Sequence, residues 1–298
     1  MNSFKDLNIT ILSRDRPKYL IQTINSLKKN AKYKLNINIS DNSLNKKTIY
    51  KIQKKFNNLN FIYRKNNLDI FQHFNLVVKE NKKKYLFIAA DDDIYDKNFL
   101  SSNLKILQTN KIAAVGCNGF LYKKIISKKN IIRNFFKSKK KYIYLNQKDM
   151  LLKYIDKDCA GVSPLFGYIY KSKYLKNYLL PSLNKGGTYS DTIFLLKLTK
   201  YGIIWNNENL IHVREHDKTV SLSKRFQYKI FINYIKKFHN FKSKIIIQKL
   251  KEYRFFNFIS LYKFKRKYIL IYIKIFLYLF FYSKYLRKRL FLKIFKYD

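Results

Sequence analysis

An α/β fold built on a mostly parallel sheet is what this sequence predicts, and three features predict it. Short β-branched or aromatic runs at residues 8–13, 35–40, 60–64 and 85–89 alternate with segments whose apolar residues fall at helical spacing. Strands and helices alternating at this interval make βαβ units with right-handed crossovers. Finally, the run at 85–89 leads through Ala90 into three consecutive carboxylates, Asp91, Asp92 and Asp93. In an open α/β sheet, ligands bind outside the carboxyl ends of the strands.

The first run is broken by Arg14-Asp15-Arg16-Pro17. Pro17 suits the first turn of a helix, which Leu20, Ile24 and Leu27 continue. The second run alternates and closes at Asp41-Asn42-Ser43. Ile49, Ile52 and Phe56 mark a second helix before the strand at 60–64, and Phe71, Phe74, Val77 and Val78 share one face of a third.

Beyond Asp93 the rhythm changes. A helix is expected over 97–108, then short strands over 112–116 and 120–122. No acid lies between Asp96 and Asp149, so the basic stretch 123–141 reads as a mobile surface excursion near the substrate mouth. A helix near 148–155, a strand at 166–170 and a loop at 184–187 follow. Ser190 and Asp191 open a helix that Gly202 closes, and two short strands at 203–205 and 210–213 lead to Arg214-Glu215-His216.

Residues 218–298 differ in kind. They hold 22 Lys or Arg against two acids, with no Gly or Pro, and read as a basic helical extension after a domain spanning 1–217. Residues 268–282 are apolar except for Lys274, which is short of the ~20 residues a spanning helix needs. A helix lying on an anionic membrane surface fits this pattern. So does a helix packed on the preceding domain or on a second subunit.

The 298 residues carry a net charge of +45, which alone would point to nucleic acid or to an anionic membrane. Lys, Asn, Ile, Tyr and Phe are over-used together, however, as an AT-rich coding bias would produce, so much of the lysine is expected as solvated surface. Cys117 and Cys159 stand far apart without a CxxC or Cys/His cluster, which excludes a disulfide framework and a zinc ribbon. No apolar leader follows Met1, so a cytoplasmic protein is expected, with the inner membrane face as the place where the extension would attach.

Each acid has an ordinary reading by itself. Asp41-Asn42-Ser43 makes a common turn, and Ser190-Asp191 a common helix start. Ends of neighbouring parallel strands share one rim, so Asp41 and Asp92 are expected along one crevice. In order and separation the motifs resemble the inverting glycosyltransferases of family 2, which have the GT-A fold, a Rossmann-like sheet flanked by helices. The segment 9–17 is similar to that family's first strand and following loop, and Ile39-Ser40-Asp41-Asn42-Ser43 to its second-strand motif. Ala90-Asp91-Asp92-Asp93-Ile94 is similar to its metal motif, although Ala90 stands where many members carry an acid. The late Arg214-Glu215-His216, with Val220 and Ser221, is similar to its Arg-x-His…Ser signature.

The resemblance implies that Asp41 reads the nucleotide base, that Asp92 ligates a divalent cation (Mn2+ or Mg2+), and that Asp91 or Asp93 supports the ribose or the metal shell. It also implies that Asp191 is the catalytic base and that Arg214 and His216 face the diphosphate. On residues alone His216 is equally a structural histidine. The donor would be a nucleotide-sugar, most simply a UDP-sugar, and the acceptor a glycan or lipid-linked molecule in surface polysaccharide assembly. The alternative is a non-enzymatic protein binding nucleic acid or an anionic membrane. It explains the charge but not the Asp triplet, and no nucleic-acid-binding signature is present. Seven glycines, none in Ser13-Arg14-Asp15-Arg16, leave no phosphate-binding loop for a nucleotidyltransferase.

Overall fold

The computed structural model describes residues 4–30, 35–64, 68–155, 161–180 and 190–215, together with Leu277. The chain divides into two compact units, Met1–Lys237 and Phe238–Asp298, and the elements below belong to the first. Cys159, His216 and the basic extension lie outside the described residues, apart from Leu277.

The first half follows the alternation in the sequence: β1 (Leu7–Ser13), α1 (Pro17–Lys28), β2 (Ile37–Asp41), α2 (Lys46–Lys55), β3 (Asn60–Tyr63), α3 (Ile70–Glu80) and β4 (Tyr85–Ala90). These four strands are mutually parallel in the order β3-β2-β1-β4. β4 is buried along its whole length, as a central strand covered on both faces must be. The helices start on local signals. Pro17 opens α1, the Asn45 side chain caps α2, and Asp69 with Gln72 forms a capping box on α3. Leu20, Ile24 and Leu27 of α1 and Phe74 of α3 are fully buried, each contributing ~1.5–3 kcal/mol.

The second half adds β5 (Ile94–Tyr95), α4 (Phe99–Thr109), β6 (Ala114–Lys123), β7 (Ile131–Asn134), β8 (Tyr142–Leu145), α5 (Gln147–Ile155), β9 (Tyr168–Lys171), α6 (Ser172–Leu175), α7 (Ser190–Leu198) and β10 (Ile203–Glu215). The sheet continues from β4 as β9-β6-β10-β5, with β7 on β6 and β8 on β10. β9 runs antiparallel to both neighbours, while β6 and β10 are parallel to each other. After α7, a 3₁₀ turn ends at Gly202, whose φ of +83° gives the left-handed close expected of a glycine there.

Three expectations need correction here. The short strands expected at 112–116 and 120–122 are one ten-residue strand, β6, because Cys117 and Asn118 between them are buried in the sheet. The strands expected at 203–205 and 210–213 are likewise one, β10, with register shifts around Asn209. Asn206, at this irregularity, is held by donating to Asn103 Oδ1 and Ser102 Oγ of α4, so a polar break is absorbed as a bulge. Within the basic stretch 123–141, residues 131–134 are not a loose excursion but β7, paired antiparallel to β6.

β10 must seat closely on β6 for its last residues to reach the sheet rim. At Gly119 a Cβ would fall 1.8 Å from the Ile211 carbonyl oxygen, a backbone atom that cannot swing aside. Gly119→Ala is expected to lower unfolding free energy by ~1–3 kcal/mol in chemical denaturation, as overpacking does. Wild-type stability in this variant would contradict the close approach.

Candidate active site

Three consecutive carboxylates at the end of β4 repel one another, and donors from the β1–α1 loop and from β10 hold them. Asp91 accepts the Arg14 backbone N–H at 2.9 Å and Arg16 Nη1 at 3.2 Å. Asp92 accepts the same Arg16 nitrogen at 2.7 Å. Asp93 accepts the Arg214 backbone N–H at 3.2 Å, and its carbonyl oxygen accepts from Thr23 Oγ1 at 2.7 Å. All three residues are buried. Burial and then the charge of Asp92 push the Asp91 carboxyl up to about 7, although Arg16 and the Arg14 amide oppose the rise. The same two causes hold Asp93 well above the usual carboxylate range.

Arg16 arrives through a bent loop. Asp15 has φ +53°, in the left-handed region that Asp tolerates better than most residues. Its amide donates to Ser43 Oγ at 2.8 Å, and its Oδ1 accepts the Leu44 N–H at 3.0 Å, which ties the β1–α1 loop to the β2–α2 loop. Ser43 Oγ donates to Asp41 Oδ1 at 2.7 Å, and Lys46 pairs with Asp41 Oδ2 at 3.2 Å. Asp41 is therefore fully buried behind this loop.

A cleft of about 410 Å³ opens over the rim. Asp91, Asp92, Asp93, Asp191, Arg16 and Arg214 line it, with Phe71, Leu165 and Phe166 among its apolar walls. The structure thus brings Asp191, from the first turn of α7, to the same space as the Asp triplet. It does not bring Asp41 there: Asn42 lines the cleft in its place, and Ser43 an adjacent hollow of about 270 Å³. Asp191 Oδ1 accepts from the Thr192 N–H at 2.6 Å and from its hydroxyl at 3.1 Å. Withdrawal from bulk water raises this carboxyl to about 6 against those hydrogen bonds.

Arg214 is the cleft's other charged group of note. Its guanidinium lies 3.9 Å from the Tyr19 ring centroid, and Nη2 donates to Gln22 Oε1 at 2.8 Å. Its Nε and Nη1 are buried and find no hydrogen-bond partner among the described residues. Buried donors without acceptors are costly, so a cationic group held this way at a cleft wall is suited to an anionic ligand.

Among the described residues no cluster of three or more His, Cys, Asp or Glu side chains could hold a metal by itself. Hard divalent cations bound with a diphosphate need only one or two carboxylates, the phosphate oxygens and water completing the shell. Asp91 and Asp92 already turn one oxygen each toward a single cationic nitrogen of Arg16, so their arrangement fits such a shared ion.

Two cleft residues escaped the sequence reading. Arg14 and Arg16 follow β1, and β1 lies directly beside β4 in parallel, so the motif Arg14-Asp15-Arg16-Pro17 carried the signal. Tyr19 and Gln22, one helical turn apart on α1, hold Arg214 and left no sequence signal. His73 lines the cleft, but its Nε2 bonds Ser40 Oγ at 2.8 Å and burial lowers its pKa to about 4, in keeping with a structural role. His212 likewise meets the Tyr122 hydroxyl at 3.1 Å and stacks on Phe120.

This rim, with its acids and its buried arginine, sits on the sheet of a GT-A glycosyltransferase. The chain belongs to glycosyl transferase family 2, whose model matches residues 9–173, just over half of it. Among solved structures it is similar to residues 1–349 of TarS from S. aureus, crystallised with UDP-GlcNAc (TM-score 0.59, 14% identity, 83% of this chain and 71% of that one). The same TarS segment with UDP gives a TM-score of 0.57 at 14% identity, covering 83% of this chain and 70% of that one. A third is the mannosyltransferase PcManGT from Pyrobaculum calidifontis in complex with GDP-Man and Mn2+ (TM-score 0.52, 10% identity, 84% and 68%). At these identities the likeness is one of fold. No curated protein matches the chain in sequence.

The two unpartnered nitrogens of Arg214 make a prediction about stability. Arg214→Met removes two buried donors that lack acceptors together with the Gln22 hydrogen bond and the Tyr19 contact, so the melting temperature should change little, while binding of inorganic pyrophosphate should weaken at least tenfold by calorimetry. A loss of ~3–5 kcal/mol in stability, as when a satisfied buried ion pair is broken, would show that Arg214 is instead structural.

Proposed function

We propose that the cleft carries out inverting glycosyl transfer from a nucleotide-sugar, with Asp191 as the general base. The observation that carries this reading is that Asp191, Asp92 and Arg214 line one cleft at the carboxyl end of a parallel sheet. Asp191 takes the proton of an acceptor hydroxyl as that oxygen attacks the anomeric carbon. A carboxyl near 6 is mostly ionised at neutral pH and still basic enough to share that proton in the transition state. The Arg214 guanidinium places positive charge beside the phosphate oxygens, where a fixed cation stabilises the charge that grows on the leaving group.

Asp92, with Asp91 beside it, would hold a divalent cation, which when bound neutralises the departing diphosphate. Asp93 fixes the Arg214 backbone, and Asp41 acts through Ser43 and the loop bearing Asp15 and Arg16. The donor is taken to be a UDP-sugar and the acceptor a glycan or lipid-linked molecule of surface polysaccharide assembly. This choice is supported by the family and by UDP and UDP-GlcNAc in the TarS complexes. Residues 1–217 would form the catalytic domain on the cytoplasmic side, with His216 completing the diphosphate site. The extension 218–298 would attach to the inner membrane face through its basic and aromatic residues. Among the described residues no helix is long and apolar enough to cross a membrane.

Asp191→Asn is expected to keep UDP binding within twofold and to lose transfer by about a hundredfold or more, the scale of general base catalysis. In the wild type, transfer should fall as pH drops through about 6, because protonation of Asp191 removes the base. Turnover retained in Asp191→Asn, or an acid limb unaltered by it, would remove Asp191 from the chemistry.

A further inference from the structure

At the amino end of β4 the charge is reversed. Lys82, Lys83 and Lys84 precede this strand, and Lys171, Lys173 and Lys176 close β9 and follow it. The two groups meet across the antiparallel pair in which Tyr85 faces Lys171. Between them lies a hollow of about 640 Å³; six of its eleven lining residues are these lysines, and none is acidic. The six residues of β4 separate it from Asp91 by roughly 20 Å of strand, so it is not a lobe of the catalytic cleft.

The walls are built rather than merely charged. Buried Asn81 donates to the Lys83 carbonyl at 3.0 Å and to Ser172 Oγ at 2.7 Å, and accepts the Lys83 N–H at 3.2 Å. The Ser172 N–H donates to the Lys84 carbonyl at 3.0 Å. One buried side chain thus clamps the lysine turn before β4 to the start of α6. Lys171 Nζ leans on the Asn110 carbonyl at 2.5 Å, and no carboxylate among the described residues forms an ion pair with any of the six. Burial first, then Lys173 and Lys84, disfavour the charge on Lys171, as expected where like charges crowd without a counter-ion.

The geometry points to a second anion site here, separate from the donor cleft, for a ligand bearing clustered phosphates. Phosphates carry up to two charges each, and lysine binds them as a point charge needing no fixed fork geometry. The volume suits a group of small-molecule size rather than a single ion. A soluble oligophosphate and a multiply phosphorylated lipid headgroup present this same chemistry.

The test must discount a chain of net charge +45. The full-length protein, a Lys84→Gln/Lys173→Gln/Lys176→Gln variant and an equally neutralised Lys51→Gln/Lys54→Gln/Lys55→Gln control on α2 are titrated with tripolyphosphate at fixed ionic strength. The hollow variant is expected to bind about tenfold more weakly, and the control within twofold of wild type. UDP binding should be the same in all three. Sedimentation with neutral vesicles containing phosphatidylinositol bisphosphate separates the sources. A loss confined to the hollow variant there assigns a headgroup, whereas specificity seen only with tripolyphosphate assigns a soluble ligand. Equal weakening of hollow variant and control, no weakening in either, or loss of UDP binding in the hollow variant would overturn the proposal.

Discussion

The organising constraint is the crowding of Asp91, Asp92 and Asp93 at the end of one buried strand. Largely buried at the cleft floor, these carboxylates are tolerated because an arginine and two backbone amides offset their repulsion. The compensating groups come from two distant parts of the chain. Arg14 and Arg16 leave β1, and the Arg214 amide comes from the end of β10. The electrostatic demand of the triplet therefore fixes the first and last parts of the domain against each other. The cleft forms where they meet.

That demand also explains why polar residues are placed where they are elsewhere. The β1–α1 loop holds Arg16 at the rim only by adopting a left-handed Asp15, and a chain of hydrogen bonds through Ser43 to Asp41 supports that bend. β10 brings Arg214 to the cleft after absorbing an irregularity at Asn206, whose amide is satisfied by α4. Gly119 lets the strand lie flat on its neighbour. The guanidinium of Arg214 is then steadied on Tyr19 and Gln22, with Nε and Nη1 buried and without acceptors among the described residues.

Much of this was legible before any coordinates. The alternation through β4 placed every strand and helix of the parallel half within a few residues, because each is announced by its own periodicity and by a local cap or turn. The place of the Asp triplet at the rim was legible too, because the carboxyl ends of parallel strands share an edge. What failed was non-local. Nothing in Tyr168–Lys171 states that it runs antiparallel between β4 and β6. Cys117, Asn118 and Gly119, like the polar residues 206–209, interrupt the apolar runs in the sequence, and only the pairing of β6 with β10 and the α4 contact of Asn206 join each pair of runs into one strand. Asp41 ends its strand as foreseen, yet Ser43 and Lys46 turn its carboxylate inward, which depends on side-chain partners that residue spacing does not encode.

The central claim is that this rim binds a nucleotide diphosphate together with a divalent cation. The most direct measurement is a thermal-shift series with UDP, GDP and ADP, each with Mn2+ and with a chelator, on the wild type and on Asp92→Asn. The account predicts stabilisation that needs nucleotide and Mn2+ together, is largest for UDP, and disappears in Asp92→Asn. Stabilisation unchanged by the chelator, or retained without the Asp92 carboxylate, would contradict it.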